Sequence, residues 1–171
     1  MFRFSGIFRD VNILAEPASH ITDLDIRPVP NANLKSGELN ITTKVTGEPA
    51  TLALTVKDHD GRVLTSQTQT GSGSVTFDTM LFDQLHLWSP QTPYLYQLTI
   101  EVYDADRQLL EVVPYQFGFR TVELRDDKVI YVNNKRLVIN GVNRHEWNAH
   151  TGRVISMDDM RADIQTMLAN N

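Results

Sequence analysis

A chain of 171 residues, 41% of them apolar, is long enough to bury one ordinary core with length to spare, which excludes a disordered tail. Its formal charge of −5 is spread without a basic cluster, so the phosphate attraction on which nucleic-acid binding rests is missing. With no cysteine there is neither a disulfide framework nor a thiolate metal site, no apolar run approaches membrane-spanning length, and residues 1–6 lack the pattern of a signal peptide; cytoplasmic residence, with no nucleic acid and no membrane as partner, is the expectation.

From about residue 19 to residue 124 the pattern has period two, as half-buried antiparallel strands do. Leu39, Ile41, Thr43 and Val45 alternate with polar neighbours, and Leu52, Leu54 and Val56 do the same further on. Asp60-Gly61 then offers a tight turn into Val63-Leu64-Thr65. Gly71-Ser72-Gly73-Ser74 reads as a strand connection before Val75, Phe77 and Thr79. The longest alternation, Tyr94, Tyr96, Leu98, Ile100 and Val102, pairs across Asp104-Ala105-Asp106 with the run from Leu109 to Val113. Trp88, Tyr94 and Tyr96, with Pro90 and Pro93 fixing the approach, are expected to fill the space between sheets; an aromatic-lined sugar groove is the functional alternative. Strands of this number and spacing predict a two-sheet sandwich of the immunoglobulin kind.

After Phe119-Arg120 the character changes. Val122 and Leu124 face Val129 and Tyr131 in a hairpin, and Asn133-Asn134-Lys135 turns into a strand-like run, Arg136-Leu137-Val138-Ile139-Asn140-Gly141-Val142. A helix follows: Ser156 can cap it, Asp159 completes a capping box, and Met157, Met160, Ile164, Met167 and Leu168 share one face that expects a partner. A strand, a polar loop and a helix read as the first unit of a (β/α)8 barrel, which needs roughly 250 residues. The chain therefore reads as a piece of a larger enzyme, mainly β, with a sandwich followed by the first strand and helix of a truncated barrel.

Ligand-facing residues of such barrels sit at the carboxyl ends of strands, where Asn143, Arg144, His145 and Glu146 fall. His145 can donate or accept a hydrogen bond to a sugar hydroxyl, and Trp147 offers a stacking face. The plainer alternative makes Arg144 and Glu146 an ion pair bracing the loop. His145 and His150 lack helical zinc spacing and a third ligand, so no metal site is expected. Glycoside hydrolysis needs two facing carboxylates, and Glu146 is the single one on this loop.

Four landmarks in order carry a resemblance: Ser5-Gly6-Ile7-Phe8-Arg9-Asp10-Val11, Leu87-Trp88-Ser89-Pro90 with Pro93-Tyr94-Leu95-Tyr96, Phe117-Gly118-Phe119-Arg120, and Ile139-Asn140-Gly141-Val142-Asn143-Arg144-His145-Glu146. The chain resembles the glycoside hydrolase family 2 β-galactosidases, most closely the bacterial lactose-cleaving type. The resemblance implies residues 1–11 as the end of a jelly-roll domain, 12–120 as the immunoglobulin-like sandwich and 121–171 as the start of the catalytic barrel. It implies that His145 contacts the galactose and favours its transition state, with Asn143, Arg144 and Glu146 as supporting substrate-loop residues. The acid/base and nucleophilic glutamates, and most ligands of the magnesium and sodium implied for the parent enzyme, are expected outside the chain. No catalytic residue and no bound cofactor is assigned to the segment itself. A β-galactoside, the rest of the barrel and neighbouring subunits are the expected partners. A stand-alone sugar- or protein-binding sandwich, or one subunit of a split enzyme, is the alternative.

Overall fold

The computed structural model describes residues 6–170, so Ser5 of the first landmark and Asn171 lie outside the described residues. The chain divides into two compact units, residues 16–138 and a second formed by the stretches before and after them.

The first unit is built on two long strands. β1 (His20–Pro30) pairs antiparallel with the first half of β2 (Gly37–Lys57), and β3 (Val63–Thr76) runs along the other edge of β2. β4 (Met80–Phe82) joins that same edge at Gly37 to Leu39. β5 (Tyr96–Tyr103) takes over from β1 beside the second half of β2, and β6 (Leu109–Phe117) closes the sheet. The two alternating runs at 39–45 and 52–56 are thus one strand of 21 residues rather than two.

The two sandwich layers accordingly belong to one continuous hydrogen-bonded sheet that folds over on itself. The bend is visible in the register: Val45 pairs with Gly73 and Ala50 with Gly71, so residues 46–49 face Ser72 alone. Gly71-Ser72-Gly73-Ser74 is therefore part of β3, the strand that follows the bend, and not a connection between strands. Gly47 is required there. Its φ is +82°, and a Cβ would stand 2.3 Å from the Ala18 carbonyl oxygen.

Folding the sheet brings its apolar faces together. Leu39, Ile41 and Val45 from the first half of β2, and Leu52, Leu54 and Val56 from the second, are all at most 3% exposed. Tyr96, Leu98, Ile100 and Val102 of β5 join the same cluster. Phe82, Tyr96 and Phe119 bridge the layers edge to face, with Phe119 5.2 Å from Phe82 and 5.3 Å from Tyr96. The Tyr96 hydroxyl accepts from the His86 amide at 3.0 Å, and burial pushes its pKa up. Tyr94 precedes the strand instead of opening it; its ring packs against the core while its hydroxyl accepts from the His59 amide.

Trp88 departs from expectation. It is half-buried at the rim, with the Arg120 guanidinium 4.4 Å from its ring centroid, and does not fill the space between layers. Tyr96 and Phe119 already occupy that space, and the Gly118 backbone passes so close to Trp88 that a Cβ there would stand 2.6 Å from the Trp88 Cβ.

A three-stranded hairpin sheet follows: β7 (Val122–Leu124), β8 (Ile130–Val132) and β9 (Lys135–Arg136). Asn133 and Asn134 make its second turn at φ of 49° and 63°. The Asn133 side chain accepts from the Thr121 amide and donates to the Trp88 carbonyl, which ties the hairpin to the end of the sandwich.

In the second unit, α1 (Met157–Ala169) forms as the sequence predicts. Ser156 Oγ accepts from the Asp159 amide and the Asp159 carboxylate accepts from the Ser156 amide, completing the capping box. The strand expected at 136–142 is reduced to Lys135–Arg136, and Val138, Ile139 and Val142 are exposed. Leu137 still donates to the Ile130 carbonyl of β8, but a parallel barrel strand takes its ladder from neighbours on both sides, and among the described residues no strand pairs with 138–142.

Candidate functional site

Residues 143–146 leave the backbone ladder and are held by side chains instead. Arg144 turns toward α1: its Nε donates to Asp163 Oδ2 at 2.8 Å, and its Nη2 lies 2.6 Å from the same oxygen. Glu146 takes the other direction and pairs with Arg9 in the first landmark segment. The alternative in which Arg144 and Glu146 brace each other is not what forms. Each finds an opposite charge on a different element, Arg144 on Asp163 of α1 and Glu146 on Arg9.

The next residues are fixed by Asn148. Its Oδ1 accepts from the His150 amide at 2.8 Å and its Nδ2 donates to Asp159 Oδ1 at 3.0 Å, while its backbone exchanges two hydrogen bonds with Gly152. Gly152 has φ of +66°, which closes this small turn at low steric cost. Asp159 is thereby shared between loop and helix. Its hydrogen bonds with the Ser156 side chain and then its amide, together with Asn148 and the Arg144 charge, hold its carboxyl below the usual range.

Asn143 and His145 remain exposed, and Trp147 is 46% exposed. His145 is flanked on one side by a residue anchored to α1 and on the other by a residue anchored to Arg9. Arg9, Asn148 and Asp163 were not singled out by sequence reasoning. Arg9 stood inside a quoted landmark, but nothing in the spacing announces a contact across 137 residues.

His145 and His150 gather no further ligand: among the described residues no three His, Asp or Glu side chains come together as a metal site.

A second candidate lies on the sandwich. A groove of about 570 Å³ runs between β1 and β6, lined by Leu24, Ile26, Trp88, Tyr115, Phe117 and Arg120. Arg120 covers one face of Trp88 in this groove, whereas Tyr115 is 52% exposed. No helix among the described residues is long and apolar enough to cross a membrane.

A folded-over sheet followed by a hairpin, an anchored polar loop and a capped helix is the architecture of a β-sandwich leading into the opening unit of a (β/α)8 barrel. The sequence agrees with it: residues 19–120 match the model of glycosyl hydrolases family 2 and residues 122–171 match the TIM barrel domain of the same family. The chain belongs to glycosyl hydrolases family 2. It is 99% identical, over its whole length, to the beta-galactosidase large subunit of Leuconostoc lactis, and 48% identical to that of Lactobacillus acidophilus. It spans 27% of each of those proteins. Among solved structures, the beta-glucuronidase of Parabacteroides merdae with glycerol in its active site superposes with a TM-score of 0.76 at 26% identity, covering 88% of this chain and 20% of that one.

Proposed function

We propose that this chain is part of a retaining β-galactosidase acting on terminal β-D-galactosides such as lactose, in which it supplies the sandwich spacer and one substrate-contacting loop. The observation that carries the reading is the loop itself: Arg144 and Glu146 are each committed to a protein partner, and His145 is left exposed between them. A loop braced on both sides of one exposed imidazole suits a group that grips a sugar hydroxyl, since neither neighbour has to reorganise when substrate arrives. Residues 143–146 form the loop; His145 makes the contact, favouring the transition state over the ground state.

Hydrolysis with retention needs one carboxylic acid to protonate the leaving oxygen and one carboxylate to attack the anomeric carbon. Glu146, the loop's single carboxylate, is paired with Arg9, and one carboxylate cannot fill both roles. The 171 residues alone are therefore expected to hydrolyse nothing. Purified chain and the longer polypeptide, assayed side by side on o-nitrophenyl β-galactoside, test this: turnover that tracks the short chain through purification would contradict it.

A split arrangement is the second reading, favoured by one observation: the relatives from Leuconostoc and Lactobacillus are named large subunits. On that reading a companion chain, together with the rest of the barrel, completes the enzyme. Cytoplasmic residence goes with both readings. Against the stand-alone sugar-binding module stands α1, whose Met157, Ile164 and Leu168 are exposed, a face that a self-contained module would cover.

A further inference from the structure

The segment before the sandwich touches the candidate substrate loop at one point and the turn that follows it at another. Arg9 pairs with Glu146, and the Arg153 guanidinium lies 5.1 Å from the centroid of the Phe8 ring. Arg9 itself also lies over that ring, at 5.9 Å. Phe8 thus sits against two guanidinium groups, one from its own neighbour and one from the turn that follows the loop. Both contacts fall within one compact unit, although 137 residues separate Arg9 from Glu146.

The consequence for His145 follows from its position. Arg144, on one side, is secured to α1 through Asp163, only 19 residues away. Glu146, on the other, has Arg9 as its ionic partner. Remove Arg9 and Glu146, the residue next to His145, loses its ionic anchor while Arg144 and Asn148 keep theirs, so the backbone between those two that aims the imidazole regains freedom. Glu146 then carries an uncompensated charge next to the sugar site.

We propose that Arg9 is a positioning residue for His145, acting through Glu146, with the Phe8–Arg153 contact holding the two segments in register. The proposal rests on His145 as the substrate contact. It gives the short stretch upstream of the sandwich a part in the chemistry of a loop that follows the sandwich in sequence.

The test uses the complete enzyme, with any companion chain present, and o-nitrophenyl β-galactoside as substrate. Arg9→Ala is expected to lower kcat/KM about fivefold, the upper range for a half-exposed ion pair, mainly through kcat because aim matters most in the transition state. Glu146→Ala should do the same, and the double variant should be no worse than either single one, since both remove one interaction. Arg9→Lys, which keeps the charge, should recover most of the loss. Thermal unfolding of each variant is followed alongside. The proposal is overturned if the two single effects multiply in the double variant, or if Arg9→Ala moves only the unfolding midpoint and leaves kcat and KM unchanged. His145→Ala separates the two levels. Should that variant keep full activity, the substrate reading fails and the positioning role with it; a crippled His145→Ala beside a fully active Arg9→Ala refutes the positioning role alone.

Discussion

The sandwich and the loop-helix region that follows it show two different ways for a sequence to hold a shape. In the sandwich every alternating apolar residue of β5 meets the folded-over half of the same sheet, and Tyr96, Leu98, Ile100 and Val102 are nearly inaccessible. In α1 no described residue is buried, and Met157, Ile164 and Leu168 are 61%, 53% and 75% exposed. That helix is held by its capping box and by Arg144 and Asn148, which are polar, local and individually weak. The lesson is that burial makes the first region self-sufficient, whereas the second is specified by polar contacts and keeps an apolar face for something else to cover.

The largest effect that could break this comparison is a core cavity. Ile100→Ala should cost about 2–5 kcal/mol of sandwich stability in urea unfolding, whereas Ile164→Ala in α1 should cost less than about 0.5, because no buried volume is lost there. Equal costs would abolish the distinction.

Next comes the bend. Gly47→Ala forces a Cβ to within 2.3 Å of the Ala18 carbonyl oxygen at a φ of +82°, and should destabilise the sandwich by about 1–3 kcal/mol in the same assay. A neutral result would mean that the fold of the sheet does not depend on that turn.

Smaller is the cap. Ser156→Ala removes the hydroxyl that accepts from the Asp159 amide and should cost α1 about 1 kcal/mol, seen as faster amide exchange in residues 157–169 with β5 unaffected. The smallest is a pH effect on the same cap. Asp159 is held below its ordinary value of 3.8, chiefly by Ser156, so its contribution is fully present above that value and fades as pH falls through the lower folded pKa. Exchange of the α1 amides should therefore stay slow through the mildly acidic range and accelerate only below about pH 4 relative to the intrinsic rate. Acceleration already at pH 5 to 6 would point to another group.

Much of this was legible in the sequence, for reasons that differ between the regions. The strands were, because period-two alternation around Leu54 or Ile100 is a local signal of a half-buried surface. The helix and its cap were, because Ser156 and Asp159 stand three residues apart. The bend was not: Gly71-Ser72-Gly73-Ser74 carries the same residues whether it ends a strand or lets one fold over, and the register opposite residues 46–49 decides between them. The misplacement of Trp88 has a similar origin, since aromatic content does not say which ring takes the centre. At the loop, residue types announced His145 and its neighbours, but the partners of Arg144 and Glu146 depend on which elements come near. The nearest opposite charges in sequence, each other, were the wrong choice.

On the proposed function, the loop of residues 143–146 presents His145 to a β-galactoside while the carboxylates that hydrolyse it lie elsewhere. The most direct measurement is steady-state hydrolysis of o-nitrophenyl β-galactoside by the complete enzyme carrying His145→Ala, with unfolding followed in parallel. A substrate-contacting His145 should show a fall in kcat/KM of about 10²–10³, the range seen when one transition-state hydrogen bond is removed, at an unchanged unfolding midpoint. Wild-type kcat/KM in a normally folded variant would contradict it.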